Sequence, residues 1–253
     1  MATTAYPRRP HVPGVRVSPA VHRATVVHVR LPTPSPAGPV DAPADLPALL
    51  RRLQVDPQPR LTWYGPNDER VELTGRMLIT WVAKTAHLLA EEADVVPGSR
   101  VLVRLGADWR APVFWLAAGY LGALVLHRAQ DSPPDVDVVG QDEVLGSPDA
   151  ARRSTAVLVV VPHQAVAAPL VGLPPGCVDY GGEVSGFPDT LPAPGPRVSL
   201  DLPSGVRARV LVGPDGAPDR VLATWAAGGS VVLHTGLDAE VLARVAAQER
   251  TNP

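Results

Sequence analysis

Leu61-Thr62-Trp63-Tyr64-Gly65-Pro66-Asn67-Asp68-Glu69-Arg70-Val71-Glu72-Leu73-Thr74 opens the stretch, residues 60–126, whose reading decides the fold. Two runs rich in Thr, Trp, Tyr and Val flank strong turn chemistry at 65–68, which reads as a hairpin. Thr74 can then cap a helix whose Leu78, Trp81, Val82, Thr85, Leu88 and Leu89 share one face, with Arg76, Lys84, Glu91 and Glu92 outside it. Pro97-Gly98 ends the connection, residues 101–105 are apolar and β-branched enough for a strand, and Asp108 can cap a second helix over 109–121. Residues 123–126 return as a strand. Strand, helix and strand joined by short connections form a βαβ unit, so a parallel, right-handed pairing covered by helices is expected.

Working outward, Asp45 precedes Leu46, Leu49, Leu50 and Leu53, one apolar helical stripe that Pro57 stops. Residues 136–139 and 156–161 read as further strands separated by a helical segment at 143–153. A Pro/Gly-rich tract follows at 162–196 and is expected to be irregular. Beyond it, 206–212 reads as strand, 217–227 as helix, 230–234 as strand and 238–250 as helix. These strands are expected to join the same sheet. The fold class is therefore α/β, a mainly parallel sheet with flanking helices, in a single domain over 44–253. Residues 1–43 carry Arg8, Arg9, Arg16, Arg23 and Arg30 with no acid before Asp41, and are expected to be a disordered Pro/Arg-rich arm.

The 253 residues are enough to bury a substantial core, and with two Phe and four Tyr that core must be built mainly from Val, Leu and Ala. A formal net charge of −2 lacks the electrostatic footprint that phosphate-backbone binding needs, so nucleic acid is not expected as a partner. No apolar run approaches the ~20 residues of a membrane span, and membrane is excluded likewise. Arg8-Arg9 is followed by no apolar segment of the kind that an export signal requires. The single cysteine, Cys177, fits a reducing cytoplasm and reads as a small apolar filler.

Residues 60–126 resemble the opening of the acyl-CoA synthetase and AMP-dependent ligase family of adenylate-forming enzymes. The resemblance rests on Leu73-Thr74 leading into a helix with Trp81, Lys84 and Ala86, and on Val96-Pro97-Gly98-Ser99-Arg100-Val101, where the family has Asp at the position of Ser99. A second similarity lies at residues 221–233, with Gly228-Gly229 at its turn, and in the helix that follows. The chain is similar to a small actinobacterial-type group related to the amino-terminal region of these ligases.

That resemblance implies a Thr/Ser/Gly-rich phosphate loop ending in Pro-Lys-Gly between the strand near 156 and the helix near 217. The interval contains no such run. Leu202-Pro203-Ser204-Gly205 and Val212-Gly213-Pro214-Asp215-Gly216 come nearest and lack the lysine. The sequence also ends at Pro253, before the positions where the family has its ribose-binding acid and its carboxy-terminal lid. Lys84 is the only lysine. Loss of several electrostatic stabilisers leaves negligible turnover by that route.

Other chemistry is weakly encoded. The glycines do not give a dinucleotide fingerprint, and Ser185, Ser204 and Ser230 lack the flanking glycines of a nucleophile elbow. His87 and Glu91 stand one helical turn apart, which reads more readily as a solvated face than as a metal site. His127 and His163 each follow a strand, where ligand crevices of α/β folds open. Trp63, Trp81, Trp109, Trp115 and Trp225 are expected as packing anchors, an exposed one as a sign of an interface. Residues 179–183 (Asp179 to Glu183) are expected as a solvent-exposed turn, or as a polar loop over a crevice. The expectation is no catalytic residue, no metal and no cofactor. The leading reading is a cytoplasmic, non-catalytic binding or interaction protein whose partner is an unknown protein or small molecule. The alternative is an acyl- or nucleotide-binding enzyme fragment working with a separate chain. A structural subunit or homo-oligomer built on an exposed Trp-bearing helix is the third.

Overall fold

The computed structural model describes residues 43–130, 132–164, 168–196, 199–200, 202, 205, 207–215 and 218–251. The Pro/Arg-rich arm before residue 43, Ser204 and the expected strand start at Val206 lie outside them. The first helix, α1 (Leu46–Gln54), begins where the Asp45 carboxylate accepts the Ala48 N–H at 2.8 Å, and it buries Leu46, Leu49, Leu50 and Leu53. The hairpin follows as β1 (Pro59–Tyr64) and β2 (Arg70–Thr74), antiparallel, with Trp63 opposite Val71. Gly65 at its turn lies against the Trp63 ring, where an added Cβ would come within 2.1 Å of ring carbon. The Thr74 hydroxyl accepts the Met77 N–H at 3.2 Å and starts α2 (Gly75–Glu91).

Next come β3 (Arg100–Val103), α3 (Arg110–Tyr120) and β4 (Leu124–Leu126), the expected βαβ unit, with β3 and β4 parallel. The strand ends at Val103 and not at Leu105, because Gly106, at φ +57°, turns the chain toward α3. Asp108 accepts the Arg110 N–H at 2.8 Å, one residue short of the capping position, which Trp109 occupies. β5 (Val136–Gly140) and β6 (Val157–Val161) are parallel neighbours. The single helix expected at 143–153 is two short ones, α4 (Gln141–Leu145) and α5 (Pro148–Arg152), because Pro148 cannot continue a helix and sits instead in the first turn of the second.

The tract at 162–196 is not wholly irregular. It contains β7 (Cys177–Asp179), parallel to β6, and the short helix α6 (Tyr180–Glu183), which Asp179 caps by accepting the Gly182 N–H at 3.0 Å. Residues 179–183 are therefore neither an exposed turn nor a crevice loop. Tyr180 is buried and shares a 2.9 Å hydrogen bond with the Thr85 hydroxyl of α2; burial pushes its phenol well up.

The chain closes with β8 (Arg209–Val212), α7 (Pro218–Ala226), β9 (Ser230–His234) and α8 (Ala239–Glu249). Their strands do not extend the sheet of β3 to β7, which corrects the one-sheet expectation. There are two sheets: β2-β1-β9-β8, and the all-parallel β4-β3-β5-β6-β7. The reason lies in β1, whose Leu61, Thr62 and Trp63 are all buried. A strand covered on both faces is a poor edge, and β9 completes it in parallel register, Leu61 against Val231 and Trp63 against Leu233. Helices α2 and α3 pack on each other between the sheets, α2 against the first and α3 against the second. One apolar cluster runs from Leu61 and Leu233 through Leu78 and Phe114 to Val101 and Val159. No helix among the described residues is long and apolar enough to cross a membrane.

The first sheet is tied to α8 by ions. Glu249 accepts from Tyr64 Oη at 2.5 Å, from Arg209 Nη2 at 2.5 Å and Nε at 3.1 Å, and from Arg70 Nη2 at 3.1 Å. Burial alone would raise its carboxyl; the hydrogen bonds from Tyr64, Arg209 and Arg70 overcome this and leave it lowered. A carboxyl that is more acidic in the folded chain contributes stability above its ordinary value, about 4.3, and loses it as pH falls through the folded value. Melting temperature is expected to drop more steeply between pH 5 and pH 3 in the native chain than in Glu249→Gln; parallel curves would show that the cluster carries no proton linkage.

Candidate functional site

The second sheet has its strands in the order 2-1-3-4-5 when they are numbered along its own run of chain. In such a sheet the crossovers leave opposite faces at the first and third strands, and a crevice opens beyond their carboxyl ends. Here those strands are β3 and β5. The β3 to β4 crossover, α3, lies on the inner face, whereas α4 packs on β5 and β6 from the outer face.

A cleft of about 290 Å³ lies not at this point but on the outer face of β5 and β6 toward their amino ends, under α4 and α5, and Arg104 reaches it from the end of β3. Alternation along the strands builds it. Val136 and Val138 of β5 and Val159 and Val161 of β6 face the main core, so Asp137, Val139 and Leu158 face outward, and Arg104 follows β3 on the same side. Val139, Val144 and Leu158 supply an apolar floor. Arg104 donates from Nε to Asp137 Oδ1 at 2.9 Å and from Nη2 to Oδ2 at 2.7 Å, a fork-on-fork pair, and its Nη1 donates to Glu143 Oε1. The hydrogen bonds it donates to Asp137, reinforced by the one to Glu143, hold the guanidinium more firmly charged than an ordinary arginine. Arg153 and Ser154 complete the rim. The Ser154 hydroxyl is engaged with the backbone of Ala156 in a local turn, at 3.2 Å in both directions. The arrangement offers fixed charges over an apolar floor and no activated nucleophile.

His163 lies just past the carboxyl end of β6. Its Nε2 meets Asp142 Oδ2 at 2.6 Å and its N–H donates to Gln141 Oε1 at 3.0 Å, so it clamps the end of β6 to α4 and does not enter the cleft. His127 lies elsewhere, beyond β4, edge-on to Trp115 with ring centroids 5.3 Å apart. Its Nδ1 is buried without a hydrogen-bond partner; burial lowers its pKa and the Asp219 carboxylate pulls the other way. His234, which sequence reading passed over, ends β9 in a similar state, with Nδ1 buried and unpartnered and its pKa lowered by burial.

The remaining candidates have structural work. His87 Nδ1 meets Glu91 Oε1 at 3.1 Å and its Nε2 meets the Thr190 carbonyl at 3.1 Å, which pins the 184–190 segment against α2. Lys84 serves the same segment, contacting the carbonyls of Ser185 at 3.1 Å and Phe187 at 2.5 Å and the Asp189 carboxylate at 2.8 Å. Among the described residues no group of three or more His, Cys, Asp or Glu could hold a metal. Ser230 accepts from Arg209 at 3.3 Å. Trp63, Trp109, Trp115 and Trp225 are buried and Trp81 is half-buried against Trp109, so none presents an open aromatic face. Cys177 is half-buried against the smaller outer cluster, and burial pushes its thiol up.

Arg104, Asp137 and Arg153 were missed by sequence reading. The available signal was Asp137 itself, a carboxylate in the middle of the apolar run Val136-Asp137-Val138-Val139, which needs a buried cationic partner.

No protein-family model matches the chain. A curated protein from Mycobacterium tuberculosis described as a TIGR03089 family protein is 32% identical over 226 residues, which is 78% of this chain and 92% of that protein. Among solved structures, the acyl-CoA synthetase of Brucella canis is similar with a TM-score of 0.65 at 16% identity, over 84% of this chain and 47% of that one. An amide bond synthetase from Marinactinospora thermotolerans gives 0.56 at 16% identity, over 82% and 47%. The acetoacetyl-CoA synthetase of Streptomyces lividans gives 0.57 at 16%, over 76% and 38%. The chain thus spans about half the length, or less, of the solved structures it matches. At these identities the likeness establishes the fold, that of the amino-terminal domain of adenylate-forming enzymes.

Proposed function

Because this chain belongs to the TIGR03089 family, and carries an amino-terminal ligase fold in which Arg104 is already paired with Asp137 and Glu143, we propose that it is a non-catalytic binding protein of the adenylate-forming superfamily. The observation that carries this reading is the position of Lys84. The only ammonium in the sequence outside the chain terminus stands on α2 and is engaged by three oxygens of the 185–189 segment. A triphosphate needs mobile cationic and N–H donors aimed at it. The arginine at the switch point is likewise held, by Asp137 and Glu143.

The test is ATP–pyrophosphate exchange with the purified chain and a panel of carboxylic acids. Exchange is expected to stay at the level of the protein-free control; an acyl-adenylate formed by this polypeptide overturns the reading. The second reading, an acyl- or nucleotide-binding enzyme fragment completed by another chain, draws support from the strand order, since ligands of open α/β sheets gather at the switch point, here between β3 and β5. Nucleotide-dependent thermal stabilisation by ATP, AMP or CoA would favour it over the first. A cytoplasmic location, and residues 44–253 as one folding unit, belong to the same proposal. They are supported by the single half-buried thiol and by the apolar cluster that crosses both sheets.

A further inference from the structure

We infer that α8 is an acid-released flap, which lifts from the first sheet below neutral pH while both sheets stay folded. Alternation along the strands sets the helix in place. Leu61, Trp63, Val231 and Leu233 face the main core, so Thr62, Tyr64, Val232 and His234 face the other side of the sheet. Thr62 and Val232 have no exposed surface there, and His234 is only 6% exposed. α8 lies over this face, where its Glu249 accepts from Tyr64 and Arg209, and Arg209 Nη2 also donates to Thr62 Oγ1 at 2.7 Å. The helix itself grips lightly. Of its eleven residues Val245 alone is buried, with Val241, Leu242, Ala246 and Glu249 half-buried on the same side. A segment with so little apolar burial opens at a lower cost than the core it lies on.

His234 makes that cost depend on pH. Its Nδ1 is buried without a hydrogen-bond partner. The neutral ring can keep its one proton on Nε2, whereas the imidazolium must carry a proton on both nitrogens, so acid places a charge and an N–H where no acceptor stands. The surroundings supply no counter-charge. Tyr64, its neighbour in the parallel register, is engaged with Glu249; Gly213, just past β8, brings no side chain, and an added Cβ there would fall 3.8 Å from Nε2; Asp238 caps α8 by accepting the Val241 N–H at 2.9 Å. Burial alone lowers the pKa of the ring. A base whose value is lowered in the closed form takes up its proton more readily in the open one. The closed form is therefore fully favoured above about 6.5, the ordinary value, and loses ground as pH falls from there toward the lowered one. Glu249 adds a later loss, below about 4.3, where protonation weakens its hold on Arg209 and on Arg70, whose other carboxylate partner is Glu72.

The experiment is hydrogen–deuterium exchange of the full chain, read by mass spectrometry at about pH 7.5 and about pH 5.5, each rate being referred to that of the unfolded peptide at the same pH. Protection of α8 is expected to fall several-fold at the lower pH, with about tenfold the limit for one imidazole, while peptides from β1 and β5 keep theirs. His234→Leu and His234→Gln take up no proton at this position and are expected to protect α8 equally at both pH values, with β5 protection reporting that each variant is folded. Unchanged α8 protection in the native chain overturns the flap. So does a loss that β1 and β5 share, which is loosening of the whole molecule. A native-like fall in a folded His234 variant overturns it as well, because the imidazole is then not its cause.

Discussion

Trp225→Ala is expected to lower the free energy of unfolding by about 4 kcal/mol, the usual cost of emptying a buried aromatic site. Trp225 is 1% exposed on α7, beneath the first sheet, and its Nε1 donates to the Arg60 carbonyl at 2.9 Å. Arg60 is itself a junction, donating from Nη1 to the carbonyls of Gly228 at 2.7 Å and Gly229 at 2.9 Å and pairing with Asp56. The indole therefore supports the point where β1 meets the turn into β9. Trp225→Phe keeps most of the volume and loses the hydrogen bond, so a cost of about 1–2 kcal/mol is expected there. Urea unfolding monitored by far-ultraviolet circular dichroism gives both values. Equal midpoints for the two variants would show that the cavity contributes little and that α7 settles inward.

Arg110→Met is expected to cost about 3 kcal/mol, at the lower end for breaking a buried ion pair. The guanidinium is 1% exposed and forks onto Asp108 with two 2.8 Å bonds, while Nη1 donates to the Gln164 carbonyl at 3.1 Å and the plane lies 5.3 Å from the Trp109 ring. Methionine fills much of the space but leaves the Asp108 carboxylate with the Arg110 N–H as its remaining donor. Asp108 is 17% exposed, so water recovers part of the loss. Combining Arg110→Met with Asp108→Asn is expected to cost less than Arg110→Met alone, because no unpaired charge is left behind. Additive costs in the same urea experiment would rule out the pairing as the origin.

Local signals carried much of the fold. Asp45, Thr74 and Asp238 each cap the helix that the sequence assigns to them, and the Gly65–Asp68 turn joins the strands on either side of it. These are readable because cap, stripe and turn lie within a few residues of one another. Sheet membership was not readable, since Val231 and Leu233 could alternate equally well beside β6 or beside β1. The choice depends on the buried second face of β1, contributed by Thr62. β7 escaped notice because Val178 is its one well-buried residue amid prolines and glycines. The cleft was illegible for a related reason. Arg104, Asp137 and Glu143 come from three elements, and only the strand order brings them together. The Pro148 break, by contrast, was there to be used, and polar periodicity across 143–153 obscured it.

The parallel register of β1 with β9 has a consequence for synthesis on the ribosome. Leu61 emerges about 170 residues before Val231, the residue it must pair with. At translation speeds of ~5–20 residues per second, the hairpin waits roughly 10–30 seconds with an apolar strand edge uncovered. The nascent polypeptide is therefore most prone to aggregate in that interval, and a holdase chaperone that shields the Leu61 to Tyr64 edge would act at the step where this fold is most exposed.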